Sequence, residues 1–186
     1  MVRVRVVQRL QIPAPVDREP GYCVATGNHQ VKALVYDDAF IPAAGDTPES
    51  LSTALPGSCL SPTALHFVPY PGAPSGDAEA YVKQSVFPGC FANGLPAREG
   101  AALAAEQQPP VASILSDTLT TTPAWQTIPS WDVIGTADHV IPPAEQVVMA
   151  KRAGSHITEV KAPHLSMISD PGAVTRVILE AASTVG

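Results

Sequence analysis

Ser130-Trp131-Asp132-Val133-Ile134-Gly135-Thr136-Ala137-Asp138-His139-Val140-Ile141-Pro142-Pro143 runs from a short apolar stretch, through a glycine and an acid, into a double proline. Residues 130–136 read as a strand. Pro142-Pro143 then opens a helix over 143–153, because proline in the first turn forfeits no helical hydrogen bond and already has a helical φ. Gly154 closes that helix, as glycine does at helix carboxyl ends. A second strand follows at 155–161 and a second helix at 170–182, where Ser169-Asp170-Pro171 supplies a capping side chain ahead of a first-turn proline. The order β-α-β-α predicts a parallel sheet covered on both faces.

Working back along the chain, Val31-Lys32-Ala33-Leu34-Val35-Tyr36 is an apolar run of the kind that forms a strand buried on both faces of a parallel sheet. The alternating Val/Arg run from Met1 to Leu10 reads as an edge strand, and 12–15 and 19–21 read as turns. Between about 42 and 123 the text changes to Gly/Pro-rich loops, with helices expected at 77–85 and 97–107. Twenty prolines in 186 residues, concentrated between 13 and 129, exclude a continuous helix or central strand through this region. The region reads as an insertion into the sheet domain.

Length and composition fit one compact domain, with 45% hydrophobic residues. A formal charge of -6 with scattered basic residues gives no footprint for nucleic acid or an anionic membrane, so neither is expected as a partner. The amino-terminal run lacks the unbroken apolar stretch of a signal peptide or membrane span, which makes a cytoplasmic location the expectation. Cys23, Cys59 and Cys90 are odd in number and form no CxxC pair, so they are expected as free thiols. His29, His66, His139 and His156 show no metal-ligand spacing, and neither metal nor cofactor is expected.

In an open parallel sheet, ligands bind at the carboxyl ends of the strands, where the loops carrying Asp138 and His164 fall. An acid that accepts a hydrogen bond from a histidine ring fixes the tautomer whose other nitrogen takes a proton from a nucleophile. Asp37 and Asp38 end the first core strand at the same edge and are expected to be solvated. Ser166 is expected to bond to nearby backbone in its loop. Trp125 and Trp131 are expected to pack beneath the insertion and along the strand.

Pro123-Ala124-Trp125, Ile128-Pro129-Ser130-Trp131, Gly135-Thr136-Ala137-Asp138, Ile141-Pro142-Pro143, Met149-Ala150 and His164 together resemble the carboxyl-terminal half of bacterial α/β-hydrolases of the small esterase type. Val31 to Tyr36 and Ala39-Phe40 are similar to the strand that follows the nucleophile-bearing helix in that family. The resemblance covers roughly residues 25–186, leaving 1–24 unassigned, and implies a parallel α/β-hydrolase sheet with an inserted helical cap at about 42–123. It implies Asp138 as triad acid, His164 as triad base, and small apolar esters as substrates.

One part of that family's pattern is missing. The nucleophilic serine sits on a Gly-x-Ser-x-Gly elbow between a strand and a helix. Here the elbow is expected near 10–18, where the sequence has neither serine nor glycine. Cys59 and Cys90 fall in the insertion and are not expected to replace it. The chain therefore reads as an amino-terminally truncated hydrolase, impaired or inactive alone. The rival reading is a non-catalytic remnant or binding module, a homo-oligomer in which a partner covers the exposed sheet edge. A lyase on the same scaffold is a third reading, which nothing in the sequence favours.

Overall fold

A computed structural model describes the backbone of residues 3–8, and residues 25–74 and 76–186 in full. The turns expected at 12–15 and 19–21, the elbow window 10–18 and Cys23 lie outside the described residues. Four strands form one parallel sheet in the order β1-β2-β5-β6: β1 (Arg3–Gln8), β2 (Val31–Asp37), β5 (Ser130–Gly135) and β6 (His156–Val160). Val6 lies beside Val35, Val35 beside Trp131, and Trp131 beside His156. As the apolar runs predict, β2 is buried from Ala33 to Asp37 and β5 along its whole length, because both strands are central and covered on two sides.

The two helices expected near the carboxyl end form and take opposite faces. On one face α4 (Pro143–Ala153) lays Met149 and Ala150 against Leu34, Tyr36 and Ile134. On the other α5 (Pro171–Thr184) lays Val174, Val177 and Ala181 against Ala33, Val35, Trp131 and Val133. The helix ends behave as their residues dictate. Gly154 takes φ 66 and donates its N–H to the last carbonyls of α4, while the Asp170 carboxylate accepts the N–H of Ala173 at 3.0 Å. Trp131 packs along its strand and reaches Glu180 with its indole N–H, and the Trp125 indole donates to the Pro42 carbonyl beneath the connecting segment.

The segment between β2 and β5 carries α1 (Pro48–Thr53), β3 (Leu65–Val68), β4 (Glu79–Val82), α2 (Phe87–Cys90) and α3 (Ala97–Ala105). The helix expected at 77–85 does not form. Residues 79–82 are a strand, paired antiparallel with β3, because alternate residues Ala80 and Val82 bury themselves while Glu79 and Tyr81 stay partly exposed. The helix expected at 97–107 stops at Ala105. The Gln107 side chain leaves it to accept the N–H of Val82 and donate to the Val82 carbonyl, both at 2.9 Å, which satisfies the outer edge of β4. Ala104 packs with Phe87 and Ala92, so the alanine-rich helix seats against α2.

The cysteines correct a second expectation. Cys59 and Cys90 form a disulfide across a sequence separation of 31, with Cα atoms 5.8 Å apart. Their spacing along the chain gives no sign of this, because the bond depends on the fold of the connecting segment. No helix among the described residues is long and apolar enough to cross a membrane.

Candidate active site

The carboxyl ends of β2, β5 and the loop after β6 converge on one buried cluster of polar side chains. Asp138 follows β5, where Thr136 N–H bonds to Val160 O and Ala137 N–H to Ala162 O, so the loops after the two strands run side by side. This brings His164 to Asp138: the ring nitrogen Nδ1 lies 2.9 Å from Asp138 Oδ2, with both residues buried. The acid and the histidine singled out in the sequence therefore meet, 26 residues apart in the chain.

Asp138 is held from every side. Its Oδ1 accepts the N–H groups of Val140 at 2.6 Å and Ile141 at 3.0 Å. Its Oδ2 accepts the Gln146 amide at 2.7 Å in addition to His164. Gln146 lies in the first turns of α4 and also donates to Ile141 O, so the helix that Pro143 starts fixes the orientation of the carboxylate. The sequence reading missed Gln146. A polar residue in the first turns of a helix just after an acidic loop is the signal that could have found it.

The connecting segment forms the other wall. Phe91 meets the His164 ring edge to face, with centroids 5.0 Å apart, and stacks on Phe87 at 4.9 Å. Cys59 N–H donates to His139 O at 2.7 Å, Ser58 Oγ donates to Val140 O at 2.7 Å, and His139 Nδ1 lies 3.2 Å from Gly89 O. The Asn93 amide donates to Ala137 O at 2.8 Å. The disulfide thus joins two stretches that both grip the loop carrying Asp138.

Asp37 and Asp38 are buried, each 1% exposed, which overturns the expectation that they are solvated. The Ser166 hydroxyl reaches Asp37 Oδ1 at 2.6 Å rather than its own loop backbone. Asp38 accepts the N–H groups of Gly135 at 2.7 Å and Ser166 at 3.1 Å. Burial pushes the Asp38 carboxyl up to about 7, against the pull of the His164 ring and Ser166; the charges of Asp138 and Asp37 add to the rise. Asp132, on β5 with both oxygens buried and without a hydrogen-bond partner, is raised well above the ordinary carboxylate range by burial, then by Asp38 and Asp37. No group of three or more His, Cys, Asp or Glu among the described residues is arranged to hold a metal ion.

This arrangement can orient a histidine tautomer and stabilise the ring when it takes a proton. Nucleophilic attack requires a further group. β1 lies beside β2 and parallel to it, so its Gln8 end is at the same sheet edge as Asp37; the residues that follow Gln8 lie outside the described ones. In sequence they begin Arg9-Leu10-Gln11-Ile12-Pro13, without a hydroxyl or thiol side chain.

A model of the alpha/beta hydrolase family matches residues 19–177. No curated protein matches the chain at the sequence level. Among solved structures, polyneuridine aldehyde esterase is similar with a TM-score of 0.64 and 15% identity, over 84% of this chain and 64% of that one. A pyrethroid hydrolase from Sphingobium faniae is similar with a TM-score of 0.64 and 18% identity, over 97% of this chain and 70% of that one. A methylesterase from Arabidopsis gives a TM-score of 0.70 and 12% identity, over 98% of this chain and 70% of that one. The chain thus spans 64% to 70% of the length of these three proteins. At such identities the likeness is one of fold, and it is the family match over most of the sequence, joined to the parallel sheet and the strand-end Asp–His pair, that assigns the chain to the alpha/beta hydrolase family.

Proposed function

We propose that this chain carries the acid and the base of a hydrolase for small apolar esters, with Asp138 as acid and His164 as base, and that its turnover alone is impaired. The observation that carries the proposal is the 2.9 Å contact between His164 Nδ1 and Asp138 Oδ2 in a buried strand-end site. With Nδ1 on the acid, the triad logic gives Nε2 the proton of the attacking group. The esterase and methylesterase named among the structural neighbours supply the ester class, and the Phe91 ring against His164, backed by the buried Phe87, gives an apolar acyl group an aromatic neighbour. The segment at about 42–123 serves as the cap that carries both rings.

Impairment follows from the missing nucleophile. The sequence has no Gly-x-Ser-x-Gly, and an acid and base acting without a nucleophile lose most of the stabilisation of the transition state. The test is hydrolysis of p-nitrophenyl acetate by the purified chain and by His164→Ala. A slow rate that falls about tenfold or more in the variant supports the assignment of the base, on the scale of general-base contributions. Equal rates in both would remove His164 from catalysis and favour a non-catalytic role, in which β1, an edge strand among the described residues, pairs with a second copy of the chain.

A further inference from the structure

Asp38 stands out by its backbone, its burial and its partners. It has φ 48, the one positive φ outside glycine among the described residues, and it is 1% exposed. Asp tolerates this left-handed region better than most side chains, but a residue held there needs the surrounding structure to enforce it. The enforcing contacts are specific. Asp38 N–H extends the sheet by donating to Val133 O at 3.0 Å. Oδ1 accepts the N–H of Gly135, three residues before Asp138, and Oδ2 accepts the N–H of Ser166, two residues after His164.

Gly135 makes that approach feasible. A Cβ on it would lie 2.8 Å from Asp38 Oδ1, 2.7 Å from Ala162 O and 2.8 Å from Pro163 O. Three chain segments that carry the site close on the one position without a side chain. We propose that Asp38 is a positioning residue: its single carboxylate ties the loop of Asp138 to the loop of His164 and so sets the distance at which the two meet. The proposal rests on reading Asp138 and His164 as acid and base. Asp38 acts on the histidine through the backbone of both loops.

Nitrogen NMR of the His164 ring in the full chain at pH 8, where the Asp38 carboxyl is ionised, tests this without requiring turnover. In the unaltered chain the ring holds its proton on Nδ1, facing Asp138. Asp38→Asn keeps the size and the left-handed backbone but presents one acceptor in place of two, so one loop loses its anchor. The Nδ1–H to Nε2–H ratio then falls roughly threefold to tenfold, the range that one hydrogen bond commands. Ser166→Ala, which deletes the hydroxyl on Asp37 but keeps the N–H on Asp38, leaves the ratio as it was.

Asp138→Asn separates the two ideas. If it leaves the ratio unchanged, the acid–base reading fails. If it collapses the ratio while a cooperatively melting Asp38→Asn does not move it, the Asp38 proposal alone fails. Asp38→Gly, which suits the backbone and deletes both acceptors, takes the place of Asp38→Asn if that variant does not fold. Failure of both to fold makes Asp38 a structural residue and overturns the positioning role.

Discussion

Reducing the Cys59–Cys90 bond should lower the unfolding free energy by an amount that its place in the chain sets. A cross-link across a separation of 31 residues removes about 12 cal/mol/K of entropy from the unfolded chain, or ~3.7 kcal/mol at 25 °C. Cys90 is buried and Cys59 packs against the same core, so the reduced thiols keep their contacts and the change falls mainly on the unfolded state. With a urea m-value of about 2–3 kcal/mol/M, the midpoint moves down by about 1–2 M. The assay is urea unfolding followed by tryptophan fluorescence, with and without a phosphine reductant, repeated on the Cys59→Ala variant. Thiol titration of the denatured chain should find one thiol before reduction and three after, since the sequence has three cysteines. A loss below about 1 kcal/mol would refute the loop-entropy argument. Three thiols before reduction would refute the bond itself.

Further expectations concern the buried acids and the glycine. The folded-state carboxyls of Asp38, near 7, and Asp132, also raised, hold protons that the unfolded chain releases near 4. The folded form therefore binds more protons across that window, and stability falls as pH rises from about 4 to 7. Urea melts at pH 4.5 and pH 8 check the direction, and higher stability at the alkaline end would refute it. Asp132→Val replaces an unpartnered buried carboxyl with a β-branched residue in a central strand. It should stabilise by ~1–3 kcal/mol at pH 8 and by less at pH 4, read from the same melts. Gly135→Ala places a methyl group within 2.8 Å of three oxygen atoms and should cost about 2 kcal/mol or more in a thermal or urea melt.

The carboxyl-terminal third was legible because its signals are local. Pro143, Gly154, Asp170 and the apolar runs each act within a few residues, and helix α4 begins and ends where they place it. The Asp138–His164 pair was legible for the same reason, as both follow strands whose ends could be read. What escaped the sequence depends on distant partners. Residues 79–82 become a strand because 65–68, the Gln107 side chain and the backbone at 110–111 accept them. Ser166 finds Asp37 129 positions away, and nothing near either residue announces it. Asp37-Asp38 as text is indistinguishable from a solvated turn; its burial comes from Gly135 and the loop after β6 closing over it. The disulfide is likewise a property of the folded segment.

Asp138 accepts four hydrogen bonds, which fills the four lone-pair sites of a carboxylate. Three of the four donors, the N–H groups of Val140 and Ile141 and the amide of Gln146, belong to the turn that launches α4 rather than to the histidine. Exchanging this acid for an apolar residue would strand those donors in the interior and disturb the start of the helix, whatever became of catalysis. The fold alone therefore gives a reason for an acid at Asp138, whether or not the chain turns over substrate. An aspartate at this position marks a working helix start as surely as a working enzyme, and a nucleophile is the better witness to activity.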